Sequence, residues 1–522
     1  MNIGLATITG KRSSPAETQS DDRSSSSTEE VLDLQGDQFG DNKEEISQLN
    51  LSYYDMWALG LTTAIGGHYF SWNEGLVIGF GGFFVVFFLI STAYLSLVLC
   101  MAELSSALPF AGGAYGIARV TLGIYPGYLV AICDSYKSVI YVALAVFSAG
   151  QILTIIFKTN HDLEYLYWTL LFLCYLSVLA YGGRFFWQIN FALAALSFAI
   201  LVMFIFGAIP FADFEKNAGF PDETGVDKWF QGDTYDFLSV LPTASRFFRG
   251  IQSVNLACGQ IKNPKTEVPK GYLSAMVTVM CTAFAVLYLA CSLPPGIVDF
   301  ANRPRPLTNG FKMMFALPRN RATIFNIPAT VMSGFGFMYY YGQQLSAMGN
   351  SGLINPCFAW ELPRRLSPIV ALLSGTGVAY MLCVIQWYYP DSGEQIYALS
   401  ILGSSATYIS IFASYIMFRN YYPTIKREFE SPLGTYGAVY GATVFALCFV
   451  SICGFQEDQV AIIVFGMVMV VASIYYYFVV RTRQTFSKEE KTVMFKAYLV
   501  KSKHKVFSDV ILFYFICSTH SD

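Results

Sequence analysis

Long apolar stretches, parted by short polar or basic segments, fill the chain from about residue 50 to residue 480. A helix needs about 20 residues to cross a hydrocarbon core roughly 30 Å thick. Twelve stretches reach that length: 53–77, 80–103, 125–156, 164–182, 186–211, 238–259, 271–293, 322–348, 367–388, 395–418, 435–454 and 459–480. They predict an all-α polytopic membrane protein with twelve transmembrane helices. Two stretches carry interruptions. The first reads TTAIGGHYFSWNEG over 62–75, with paired glycines, a histidine and a Trp-Asn-Glu run at mid-depth. The sixth reads TASRFFRGIQSVN over 243–255, with Gly250 directly after Arg249. A lone glycine is a weak break signal, but two breaks at related places in successive five-span blocks reinforce each other. Broken helices bare N–H and C=O groups at depth, which is tolerated only where protein or a cavity satisfies them. Half-helix ends of this kind bind ligands: N–H groups take a carboxylate, and carbonyls take an ammonium or sodium.

The flanks differ from the body. Residues 1–50 are rich in Ser, Asp, Glu and Gln, include RSSSSTEE at 23–30, and have no apolar core with a cleavage site. They are expected to form a disordered acidic cytoplasmic tail, 51–480 the twelve-span domain, and 481–522 a basic cytoplasmic C-terminal tail. The apolar piece VFSDVILFYF (506–515) is too short to span; lying along the membrane surface and packing on the body are both open to it. Basic residues in the short loops set the orientation. With both termini cytoplasmic, the inner loops carry Arg119, Arg184, Lys262, Lys265, Lys270, Arg364, Arg365, Arg419, Lys426 and Arg427. The outer loops near 157–163, 389–394 and 455–458 are poor in basic residues, and 212–237 is acidic. Segment 294–321 is the exception: it holds Arg303, Arg305, Lys312, Arg319 and Arg321 on the outer side. It is therefore expected to fold against the protein. The membrane itself is expected to be the plasma membrane.

Composition narrows the function classes. Only 13% of residues are charged, 54% are hydrophobic and mean hydropathy is +0.46, whereas soluble domains carry about a quarter charged residues. An ordinary soluble enzyme is excluded, and a net charge of −3 argues against a nucleic-acid partner. The eleven cysteines show no zinc or redox spacing. The four histidines (His68, His161, His504, His520) are scattered, and no nucleophile–base set or ATP-binding loop is present. No catalytic residue, metal or cofactor is expected.

Charges within spans are costly, so their positions inform. They are Glu74, Asp134, Lys137, Arg246 and Arg249, with His68 in addition. Arg249 lies roughly 16 Å into its span, Lys137 about 18 Å and His68 about 22 Å from the inner side. Lys137 and Arg249 are too deep for easy snorkelling and call for a wet cavity or paired acids. Asp134 and Lys137 stand three apart on one helix and can pair. Glu74 and Arg246 sit on the outer halves of the two broken helices, where a salt bridge serves either as a gate or as structure. Asp134 and His68 are the candidate proton sites, His68 because its ordinary pKa lies near neutrality; a packing role for His68 is the alternative. These charges sum to about +1, a sign that favours a carboxylate-bearing substrate over a bare cationic amine.

Three motifs carry a resemblance. ELSSALPFAGGAY (103–115), GQIKNPKTEVPKGY (259–272) and AIGGHYFSWNEGL (64–76) resemble the amino acid–polyamine–organocation transporter superfamily, the last most closely its ethanolamine-permease-like branch. The resemblance covers about 50–480 and implies a leucine-transporter-like fold: two inverted five-helix repeats, spans 1–5 and 6–10, plus two extra helices. It implies a central substrate site at Ile65, Gly66, Gly67 and His68 and at Phe247, Phe248, Arg249, Gly250 and Ile251, helped by spans 3 and 8, with Lys137 reaching it from span 3. The chain departs from the family pattern at Gly259-Gln260, where two acids are frequent, at 341–356, which lacks the usual Arg, and at Lys137, where that branch tends to carry an acid. The implied function is secondary transport of amino acids or related amines by alternating access, coupled to H+ or Na+ or run as exchange. A transport-derived nutrient sensor is the alternative.

Overall fold

The computed structural model describes residues 49–109, 112–221, 227–362, 367–423, 425–456 and 458–485, with Lys491. The N-terminal tail up to residue 48, Phe110 and Ala111 of the second-span motif, Arg364, Arg365 and nearly all of the tail beyond 485, including 506–515, lie outside the described residues.

Thirteen helices matter for the site. They are α1 (Tyr53–Ala64), α2 (Gly79–Ala107), α3 (Gly113–Thr121), α4 (Ile124–Phe157), α5 (Glu164–Tyr181), α6 (Gly183–Ala208) and α7 (Thr234–Ala244). The rest are α8 (Pro264–Cys291), α9 (Ile327–Asn350), α10 (Ile369–Tyr388), α11 (Ser392–Tyr421), α12 (Gly434–Gly454) and α13 (Val460–Tyr475). Among the described residues, strand is confined to the two-residue pair Phe220–Pro221 and Asp227–Lys228.

Local chemistry explains several boundaries. The Ser52 N–H is held by the Asp55 carboxylate (2.9 Å) at the start of α1. Asp233 accepts from the N–H groups of Tyr235 (2.8 Å) and Asp236 (3.1 Å), while Asp236 accepts from the Asp233 N–H (3.0 Å), a reciprocal cap for α7. Pro264 opens α8 at a position where no N–H is needed.

Nine helical stretches among the described residues are long and apolar enough to cross a membrane. The three remaining stretches are the two interrupted ones and α9, whose tyrosines, glutamines and serines dilute its hydropathy. The centre is built from α1, α2, α4, α8, α9 and α11: α4 runs along α9 and α11, and α1 is wedged between α8 and α9. At the periphery, only 11% of the apolar window that begins at Val460 is buried, against 67% for the windows of α2 and α4. Ile463, Met467, Val470, Val471 and Ile474 are exposed on α13. An apolar face of that size suits lipid rather than water.

The basic segment 294–321 does fold against the body. It forms the short helices Ile297–Ala301, Thr308–Met314 and Arg319–Ala322. The Asn73 side-chain amide faces the carbonyls of Phe300 (2.6 Å), Ala301 (3.1 Å) and Arg303 (2.8 Å). Arg305 donates to the Gln151 side chain (3.3 Å), and burial, with the nearby Arg319 charge, pulls its guanidinium down to about 10.

Candidate substrate site between two interrupted helices

The α-helical pattern of α1 stops at Ala64. Ile65–Tyr69 continue as a tighter 3-10 turn, Phe70 is extended, Ser71 turns left-handed (φ 41°), and Trp72–Ile78 form a second 3-10 segment. The glycines follow from close approach. A Cβ on Gly66 would lie 2.7 Å from Ser333 Cβ of α9, and one on Gly67 only 1.7 Å from the Arg246 carbonyl oxygen. The second interruption mirrors the first. After α7, Ser245–Phe247 make one 3-10 turn, the chain bends at Phe248–Gly250, and Ile251–Gln260 continue as 3-10 helix. Gly250 has φ +87°, and a Cβ there would meet the Phe337 ring and Thr63 Cβ, both at 2.7 Å. Each break therefore rests on the other and on α9.

The side chains around this junction are buried. Phe247 packs edge-on to His68 (ring centroids 5.2 Å apart) and against Trp72 (5.0 Å) and Phe87 (5.1 Å). Phe248 lies against Tyr94 (5.4 Å). His68 Nδ1 is 3.1 Å from the Ile65 carbonyl, and Nε2 is 3.2 Å from the Thr282 hydroxyl of α8. A carbonyl can only accept, so Nδ1 carries a hydrogen. The Thr282 hydroxyl either donates to Nε2, or accepts from it while donating to the Val279 carbonyl (3.0 Å). Rotation of one hydroxyl thus serves both the neutral and the protonated ring.

The charged groups divide into paired and unpaired. Lys137 Nζ is 2.5 Å from Asp134 Oδ1, both buried on α4, and it lies 5.0 Å above the Tyr408 ring. Arg246 bonds Glu74 (3.0 Å) and the Ser71 carbonyl (2.8 Å) and sits 4.4 Å from the Tyr397 ring. That places a salt bridge between the two broken helices. Arg249 is 6% exposed and stands 5.2 Å from the Tyr141 ring. It has no carboxylate partner among the described residues, and its Nε is enclosed without a hydrogen bond. A cation–π contact contributes about 0.5–2 kcal/mol, which is no substitute for a counter-ion.

Sequence reasoning singled out the cations but missed the rings beneath them. Tyr141 on α4, hydrogen-bonded to Ser404 (3.1 Å), and Tyr397 and Tyr408 on α11 cradle all three. Tyr397 and Tyr408 are about three turns apart and so share a helix face. With 34 tyrosines in the chain, no spacing rule distinguishes these.

Residues of the motifs after the second and sixth spans make further ties. Glu103 accepts from Arg419 (2.8 Å), Arg427 (3.0 Å), Tyr415 (2.6 Å) and the Ser431 N–H (2.8 Å). Gln260 accepts from the Leu49 N–H through its carbonyl (3.1 Å) and from Trp187 through its side chain (3.2 Å).

A family model described as amino acid permease matches residues 56–500. The chain belongs to the amino acid permease family. This makes it an integral membrane protein of a transport family rather than an enzyme family. Relatives are distant. A methylthioribose transporter of Bacillus subtilis is 23% identical over 417 residues, 73% of this chain and 84% of that protein. Amino acid transporter 1 of Schizosaccharomyces pombe is 25% identical over 433 residues, with 76% and 72% covered. The amino-acid permease RocC of Bacillus subtilis is 22% identical over 415 residues, with 76% and 86% covered. In this permease the family match runs through both interruptions and every buried charge described above.

Proposed function

We propose that this permease is a secondary transporter of amino acids or related amines that works by alternating access, with substrate held between the two interrupted helices. The observation that carries the reading is the junction at Gly67 and Arg246, where two helix breaks meet at depth beside an unpaired arginine. Twelve spans form the body: nine continuous apolar helices, α9 and the two broken spans. The first ten are two inverted repeats, an assignment supported by a break in the first helix of each five-span block. The substrate carboxylate meets N–H groups at Gly66–His68 with help from Arg249; its ammonium meets carbonyls at Ile65 and at Phe247–Phe248. The Ile65 carbonyl also accepts from His68, so an ammonium bound there shares that oxygen with the imidazole. The shared oxygen links substrate binding to His68, a proton site along with Asp134. Lys137 acts through Asp134, its ion-pair partner. Arg246 and Glu74 close the outer side. The energy source is a proton or sodium gradient, or exchange. The protein works in the plasma membrane with both termini inside.

The departures at Gly259-Gln260 and in 341–356 favour one other reading, a nutrient sensor descended from a transporter. A screen of radiolabelled amino acids and amines in proteoliposomes, at varied pH and sodium, separates them. Saturable uptake is the expected result; binding without flux of any compound would favour the sensor.

A further inference from the structure

Arg249 sets a charge condition on what the site can hold. Each of the other cations that reach into the spans here is matched: Lys137 by Asp134, and Arg246 by Glu74. Arg249 is 94% enclosed, and its guanidinium stands 5.2 Å from the Tyr141 ring rather than beside a carboxylate of the described residues. The C-terminal end of α7 lies five residues earlier at Ala244 and offers only about half a negative charge. A buried cation without a full counter-ion is costly, so the occupied site must bring the missing charge.

The net charge of the substrate then matters more than which of its atoms touches the guanidinium. A zwitterionic amino acid brings a carboxylate but also an ammonium, and the site stays one charge positive. A cationic amino acid or amine makes this worse. An amino acid with a second carboxylate brings one net negative charge, which cancels Arg249. We propose that the permease selects acidic amino acids of the aspartate and glutamate type: the α-carboxylate and ammonium take the bared backbone groups, and Arg249, instead of assisting the α-carboxylate, pairs with the side-chain carboxylate. This rests on the transport reading above and narrows it to one substrate class. A site built around such a pairing rejects the uncharged isostere strongly, because the isostere leaves the arginine unpaired.

The test uses the full-length protein in proteoliposomes, with labelled L-glutamate and L-aspartate as probes and glutamine, asparagine and lysine as competitors. The acids should be preferred over their amides by about tenfold or more. Arg249→Gln should lose uptake of both acids, and the charge-conserving Arg249→Lys should retain uptake with the acid preference. Wild-type protein that carries amides or other neutral amino acids as well as the acids would overturn the selectivity while leaving the transport reading intact. So would an acid preference that survives in Arg249→Gln. Absence of both flux and binding for every amino acid and amine would defeat the two readings together. The wild-type comparison decides even if Arg249→Gln fails to fold.

Discussion

Gly67 is where the two interrupted helices touch most closely, and it has no room for any other residue. A methyl group there would fall 1.7 Å from the Arg246 carbonyl oxygen, a main-chain atom that cannot swing away. Overpacking typically costs about 1–3 kcal/mol, and this contact belongs at or above the upper end. Gly67→Ala should therefore lower the unfolding temperature measured by fluorescence in detergent, whereas Gly377→Ala on α10, with nothing within 4 Å, should leave it unchanged or slightly raised. The importance of such glycines was legible from the chain, because paired glycines at mid-span have no local reason to be there. Their contacts were not. Gly66 answers to Ser333 and Gly250 to Phe337 and Thr63, partners hundreds of residues or several helices away. The tyrosine cradle was hidden for the same reason: a ring under a cation is a tertiary event that leaves no spacing in the sequence.

At the scale of elements, α4 presents a buried ion pair to the centre of the bundle. Removing one partner of such a pair strands the other and typically costs about 3–5 kcal/mol, while replacing both can be nearly neutral. Asp134→Asn and Lys137→Met should each destabilise strongly, and the double variant should recover much of the loss, as read by thermal unfolding of the purified proteins. If the double variant folds but no longer shows a proton-dependent rate, Asp134 belongs to coupling; an unchanged pH profile would confine the pair to structure. The spacing of three residues made this pair legible in advance, and the glycines at 66–67 and 250 did the same for the breaks after α1 and α7. Glu103 opens the motif at 103–115, but its role as a hub for Arg419, Arg427, Tyr415 and the Ser431 N–H emerges only from the fold.

At the scale of the molecule, both faces of the centre are tied. At one end, Arg246 bridges to Glu74 and to the Ser71 carbonyl, and Asn73 pins the folded segment after α8. At the other end, Leu49 pairs with Ile261, Glu267 holds the Tyr53 N–H (2.8 Å), and the Thr485 N–H reaches the Ser351 carbonyl (3.0 Å) beside Arg119. Asn73→Ala would leave buried carbonyls without their donor, at about 1–3 kcal/mol. Limited proteolysis should then cut within 294–321 faster than in the unaltered protein. That segment is the one exception to the loop-charge pattern expected from the sequence, and it packs against the body. The membrane character followed directly from hydropathy, whereas continuous helices alone account for nine of the twelve stretches, because a broken span and a tyrosine-rich one fail any test of uniform apolarity.

The central claim is that substrate is held between the interrupted helices beside Arg249. It is tested most directly by uptake of labelled amino acid into proteoliposomes containing either the wild-type protein or Arg249→Ala at equal, monodisperse loading. The account predicts saturable uptake by the wild type and its loss in Arg249→Ala. Uptake by Arg249→Ala equal to that of the wild type would remove Arg249, and the site built around it, from the mechanism.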